Sequence, residues 1–168
     1  MNVLGNNYFT QTHPKEYFES FSLDHTKVKA PYVRIAGKKT GPKGDMVSKF
    51  DIRFCQPNME FMPTGGLHTL EHLMAEYIRD EVEGVIDLSP MGCRTGFYFT
   101  VFGEPTEEFI SQKIHNVLVK VAAWNESEAV PGVDPIMCGN WKDHDLAAAK
   151  LWAAKWIEGI DRKGFGCF

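Results

Sequence analysis

Apolar residues recur along this chain with two different periods. In residues 68–79, which hold no glycine or proline, Leu70, Leu73, Met74 and Tyr77 repeat at the three- and four-residue steps of a helix. The helix starts at a Thr64 cap or nearer His68, and Gly84 ends it. A second helical period carries Phe109, Ile110, Ile114, Val117, Leu118 and Val121, with Thr106 as cap and Glu107 and Glu108 in the first turn. A third runs from Asp143 or Asp145 to Ile160, with Leu146, Ala153, Ile157 and Ile160 on one side and Gly164 just beyond. The shorter period, rich in β-branched and aromatic residues, appears in 31–36, 46–54, 85–88 and 97–102. Residues 38–45 are rich in glycine, proline and lysine and read as the turn of a hairpin between the first two strands. Strands and helices do not alternate regularly. The expected fold is therefore α+β, an antiparallel sheet packed against helices in one domain, residues 19–168. Residues 1–18 show no period and read as an N-terminal extension.

Composition narrows the function. A chain of 168 residues with 43% hydrophobic and 24% charged positions suits one folded domain. Its net charge of −4 argues against a nucleic-acid partner. No apolar run is long enough to span a membrane, and the start of the chain lacks the basic and apolar blocks of a signal peptide. The cysteines, Cys55, Cys93, Cys138 and Cys167, form no Cys-x-x-Cys motif, and without an export signal they read as thiols or ligands. A cytoplasmic location is expected.

The chemistry concentrates on residues 68–79. His68, Glu71, His72, Ala75 and Arg79 share the arc opposite the apolar stripe. Histidines four apart stand one above the other, so both rings can reach one metal ion with a carboxylate beside it. A bare pair of this spacing also occurs on ordinary helix surfaces. Metallopeptidases use the same His-x-x-Glu-His spacing, with the glutamate activating water, so the pattern gives metal plus carboxylate before it gives a reaction. A four-ligand structural site is the other alternative. Cys138, followed by Gly139, is the candidate third ligand, against the plainer role of a packed small side chain. Cys93 sits in a glycine-rich loop beside Arg94, where a nearby cation lowers a thiol pKa and yields a thiolate able to move a proton.

Five separated stretches, in order, carry a resemblance: residues 20–26, 50–55, 68–73, 89–98 and 138–139. Together they resemble the LuxS family, S-ribosylhomocysteine lyase. The resemblance implies cleavage of S-ribosylhomocysteine to homocysteine and 4,5-dihydroxy-2,3-pentanedione, the autoinducer-2 precursor. It implies one divalent metal per subunit, natively Fe²⁺ and often replaced by Zn²⁺ or Co²⁺, and a homodimer with sites at the interface. Carried over, His68, His72 and Cys138 are the ligands, and Glu71 and Cys93 the acid/base pair. Ser20, His25 and Arg53 hold the ribose, and Arg79, Asp87 and Tyr98 lie near the homocysteine end. The metal-bearing face of the helix points away from its own domain's core. A second subunit is then the expected cover, with Cys93 serving the other chain's metal.

Overall fold

Antiparallel pairing builds a four-stranded sheet in the order β1-β2-β4-β3, with β1 Tyr32–Thr40, β2 Met46–Arg53, β3 Val85–Pro90 and β4 Gly96–Phe102. Three helices accompany it: α1 Thr64–Glu81, α2 Glu107–Ala122 and α3 Leu146–Lys163. The computed structural model describes residues 23–168, so the extension 1–18 and Ser20 lie outside the described residues. The α+β class and the single antiparallel sheet are as expected.

Alternation gives the sheet two unlike faces, because successive side chains point to opposite sides and directly paired residues point to the same side. Val33, Phe50, Ile52, Phe97, Phe99 and Val101 form the apolar face and pack with Leu70, Leu73, Met74 and Ile78 of α1 in one buried cluster. The opposite face is polar. Tyr32 and Arg34 pair with Arg53 and Asp51, and Asp51 pairs with Tyr98, which pairs with Ser89. The sheet thus separates a greasy layer, where the helices sit, from a layer of charged and hydroxyl groups.

Several local expectations need correction. The β1–β2 ribbon extends into the lysine-rich stretch, with Lys38, Lys39 and Thr40 still paired to Ser48, Val47 and Met46. Backbone hydrogen bonds hold this exposed ribbon, and composition does not register them. Helix α1 starts at Thr64 with Pro63 as its cap residue, and it ends at Glu81, before Gly84. Gly65 and Gly66 lie inside its first turn, where α3 crosses closely: a Cβ on Gly66 would sit 2.8 Å from that of Ala148. Phe109 is exposed, since it lies about 100° around α2 from the fully buried Ile110. The buried stripe of α3 is Ala149, Trp152, Ala153, Trp156 and Gly159, rotated from the expected one, with Leu146, Ile157 and Ile160 only partly buried. Trp156 Nε1 donates to Arg53 O at 3.1 Å and locks α3 against the end of β2. The caps of α2 and α3 are side-chain caps, Thr106 accepting from Phe109 N and Asp145 from Ala148 N.

Candidate metal centre and the polar face of the sheet

Four donor groups converge where α1, the 131–145 loop and the start of α3 meet. The ligand atoms of His68, His72, Cys138 and His144 all lie within 4.8 Å of one another. The helix supplies two of them because Leu70, Leu73 and Met74 turn the other side of α1 into the core. Cys138 Sγ lies 3.3 Å from His68 Nε2. The His144 ring stacks on His68 at 4.0 Å and meets His72 edge-on at 4.7 Å.

Each histidine is held by an oxygen at Nδ1. His68 Nδ1 is 2.9 Å from Asp143 O, and His72 Nδ1 is 2.7 Å from Pro131 O. His144 Nδ1 is 3.1 Å from Thr69 Oγ1. The Thr69 hydroxyl donates its proton to Gly65 O at 2.9 Å, so it can only accept from His144. That fixes the His144 tautomer with the proton on Nδ1 and a bare lone pair on Nε2. His144 Nε2 is buried with no hydrogen-bond partner. Burial, then the proximity of His68 and His72, pulls the His144 pKa down to about 4, so the ring is neutral at pH 7. Orienting oxygens on Nδ1 with free Nε2 atoms are the outer shell that metal-ligating imidazoles use. The group therefore fits a divalent ion, and a thiolate among imidazoles suits first-row metals such as Fe²⁺, Zn²⁺ or Co²⁺.

Glu71 lies beside this group, with Oε2 3.7 Å from His72 Nε2. It is half-buried, near enough to serve a substrate and outside the four-residue cluster. Gly139 makes no close approach, since a Cβ there would meet nothing within 4 Å. The close approach belongs to Gly132, where a Cβ would stand 3.0 Å from His72 Nδ1. His144 was missed by sequence reasoning: it stands alone between Asp143 and Asp145, with no spacing that ties it to α1.

The remaining sequence-selected residues gather elsewhere. Cys93 is exposed in the β3–β4 loop, with Sγ 3.0 Å from Thr95 Oγ1. Arg53 is only 2% exposed. It donates to both Asp51 oxygens at 3.1 and 2.8 Å, to Tyr32 Oη at 3.1 Å and to Thr95 Oγ1 at 2.6 Å. Tyr98 lies on the same face of the sheet, its ring 3.8 Å from Lys49 Nζ, and Asp87 Oδ2 accepts from Ser89 at 2.8 Å. Arg79 is at the exposed end of α1 and donates to Ala75 O, and His25 Nδ1 is 2.9 Å from Leu23 O. Among the described residues no hydrogen bond or ring contact joins Cys93, Arg53 or Tyr98 to the metal-binding group. Two separate groups of side chains result: a donor cluster among the helices, and a thiol linked through Thr95 to a buried arginine at the polar face.

Comparison with known sequences decides the family. A family model described as S-Ribosylhomocysteinase (LuxS) matches residues 18–164. The chain belongs to the LuxS family. Among similar curated proteins, the S-ribosylhomocysteine lyase of Thermus thermophilus is 59% identical over 137 residues, 82% of this chain and 86% of the relative. That of Deinococcus radiodurans is 56% identical over 135 residues, 80% and 84% of the two chains. The Pediococcus pentosaceus enzyme is 51% identical over 148 residues, 88% and 94% of the two chains. For a LuxS chain, the His68–His72–Cys138–His144 group is where a metal ion can bind.

Proposed function

We propose that this chain is a metal-dependent lyase that cleaves S-ribosylhomocysteine to homocysteine and 4,5-dihydroxy-2,3-pentanedione. The observation that carries the reading is the three-imidazole, one-thiol cluster with Glu71 at its edge, within a chain matched to LuxS over residues 18–164. His68, His72 and Cys138 hold one divalent ion per subunit, natively Fe²⁺ and replaceable by Zn²⁺ or Co²⁺. When bound, the metal supplies a Lewis acid that stabilises negative charge developing on the sugar oxygens. Glu71 and Cys93 take and return protons at adjacent carbons, moving the carbonyl from the first carbon to the second and then to the third. Removal of the proton from the fourth carbon then expels the homocysteine sulfur from the fifth as a thiolate. The enol left behind takes a proton on the fifth carbon as its hydroxyl becomes the second carbonyl, and the thiolate takes a proton to give homocysteine, so neither an oxidant nor an organic cofactor is needed. Ser20, His25 and Arg53 act on the ribose end, and Arg79, Asp87 and Tyr98 on the homocysteine end.

The active unit is a homodimer with its sites at the interface. Two features support this. The donor cluster and the Cys93 loop lie on different layers of one chain, with no hydrogen bond or ring contact between them among the described residues. The loops that flank them expose Met59, Phe61, Ile136 and Met137, at 82%, 59%, 93% and 70% of their surfaces. Docking a second copy would cover these side chains and bring Cys93 of one chain to the donor cluster of the other. The partners are the small-molecule substrate and a second copy, with no nucleic acid and no membrane. A cytoplasmic location is supported by four free cysteines among the described residues. No described helix is long and apolar enough to cross a membrane.

Parallel incubation of the metal-loaded protein with S-ribosylhomocysteine and with a peptide library tests the reading. Free thiol released only from the former is expected, and peptide cleavage without thiol release would overturn it. His144 gives one observation to the structural-site alternative, since it raises the donor count to four. Metal-edge absorption showing an oxygen neighbour excludes that alternative.

A further inference from the structure

Four donors meet at the metal-binding group, yet the ring planes admit only three of them to one ion. An imidazole binds a metal along the in-plane lone pair of its nitrogen, at about 2.0–2.1 Å. The rings of His68 and His72 stand 81° apart, so their lone pairs can converge on one point. His144 and His68 lie face to face, 4.0 Å apart and only 26° from parallel. Planes so placed meet well beyond the reach of either nitrogen, and no single ion lies in line with both lone pairs. Cys138 Sγ, 3.3 Å from His68 Nε2, selects His68 as the ligand of the two. His144 is left beside the ion's position with its own lone pair unused.

That lone pair lacks a donor. Thr69 is fully buried and its hydroxyl is saturated: it donates to Gly65 O at 2.9 Å and receives Asp145 N at 3.0 Å and the Nδ1 proton of His144 at 3.1 Å. The bare nitrogen of His144 is therefore Nε2, which is buried and has no hydrogen-bond partner among the described residues. Its neighbours in the group cannot supply a proton. His68 and His72 donate from Nδ1 to Asp143 O and Pro131 O, which leaves their Nε2 atoms bare as well, and a ligating Cys138 is a thiolate. The group thus presents three lone pairs for an ion and one for a hydroxyl proton. A buried acceptor left unpaired is destabilising, so a ligand that brings that proton binds better than one that does not.

We propose that His144 Nε2 accepts a hydrogen bond from a hydroxyl group of the bound substrate, beside the ion's open position, and so selects an α-hydroxy carbonyl over one whose hydroxyl is blocked. The proposal rests on the lyase reading only for naming that hydroxyl as one of the sugar's. The acceptor is firmly aimed. Its ring cannot turn without giving up both the stack on His68 and the bond to Thr69. Asp145 N, shared between Thr69 Oγ1 and Gly65 O at 3.0 and 3.1 Å, ties the next residue to α1. Asp145 also caps α3, so the loop that carries His144 is pinned between two helices.

The test compares hydroxyacetone with methoxyacetone, its methyl ether, which keeps both oxygens and lacks the hydroxyl proton. Binding is followed by the visible absorption of Co²⁺-loaded protein, which needs no turnover. The wild-type chain should bind hydroxyacetone about tenfold more tightly than the ether, the size expected when a buried acceptor is paired or left unpaired. His144→Phe keeps a ring against His68 and removes the lone pair. It should still hold one Co²⁺ per chain, with the absorption bands of the ligand-free protein unchanged, and it should bind the two ketones within about twofold of each other. Equal binding of the ketones by the wild-type chain, or a preference that survives in His144→Phe, would overturn the proposal. Loss of the ion from a folded His144→Phe, or shifted bands, would make His144 a ligand and overturn it as well. Should His144→Phe fail to fold, His144→Leu takes its place, with the same expectations and the same contrary results. Thiol release from S-ribosylhomocysteine by the wild-type protein keeps the two readings apart: a preference that depends on His144 without thiol release would overturn the lyase reading and leave the acceptor standing.

Discussion

Gly96 opens β4 and faces Arg53 across the ladder, and it fixes how closely the Cys93 loop can sit on β2. An alanine Cβ at this position would lie 2.2 Å from Ile52 O and 3.0 Å from Arg53 Cα. Contacts with backbone atoms cannot be relieved by turning a side chain, so the two strands must part by about 1 Å here. Overpacking of this kind costs about 1–3 kcal/mol. The same displacement strains the hydrogen bonds of Phe54 N and Cys55 N to Thr95 O and of Met91 N to Gly96 O, each worth about 1 kcal/mol. With one or two of the three lost, the sum is about 2–5 kcal/mol. At about 2–4 °C per kcal/mol for a domain of this size, the melting temperature should fall by about 4–20 °C. The assay is thermal unfolding of metal-loaded Gly96→Ala at the wild-type protein concentration, because the melting temperature of the proposed dimer would depend on concentration. Metal content should stay normal, since the donor cluster lies on the other layer, while turnover falls with the displaced Cys93. Gly166→Ala, where a Cβ meets nothing within 4 Å, serves as control and should stay within about 0.5 kcal/mol of wild type. A melting temperature within 2 °C of wild type for Gly96→Ala would refute the close approach of β4 to β2 at this position.

Three further outcomes are expected. Cys138→Ala should lose metal and activity together, checked by metal analysis of the purified protein; full turnover with one ion per chain would remove Cys138 from the ligand set. Glu71→Gln and Cys93→Ala should keep the metal but lose about 10²–10⁴-fold in turnover, as when a general acid or base is removed. Mixing His72→Ala with Cys93→Ala after reversible dissociation should restore about a quarter of wild-type activity, because half the dimers are hybrids and one of a hybrid's two sites is intact. A mixture that stays inactive after verified subunit exchange would place Cys93 in the same chain's site.

The helix that carries His68 and His72 was legible because its apolar residues obey one period and its histidines another spacing on the opposite arc. The α+β class followed from strand and helix periods alone. His144 was not legible, because a loop histidine carries no periodicity, and only the folded return of the 131–145 loop brings it to α1. The stripe of α3 was misread because Ile157 and Ile160 compete with Trp152 and Trp156 for the core, and Trp156 is the one that packs on Phe54, its ring 6.0 Å away, and donates to Arg53 O. Arg53 was selected as a sugar-binding residue by resemblance. That its guanidinium is buried against Asp51 and touches Cys93 only through Thr95 depends on strand register, which sequence does not print. Thr95 itself looked like one more residue of a glycine-rich loop.

The central claim is that a metal held by His68, His72 and Cys138 carries the cleavage of S-ribosylhomocysteine. The direct measurement strips the protein with a chelator, verifies metal loss, and returns Fe²⁺ anaerobically in steps while thiol release is followed. The account predicts no release from the stripped protein and a linear recovery that breaks at one ion per chain. Release that survives verified stripping, or that never appears at full metal loading, would contradict it.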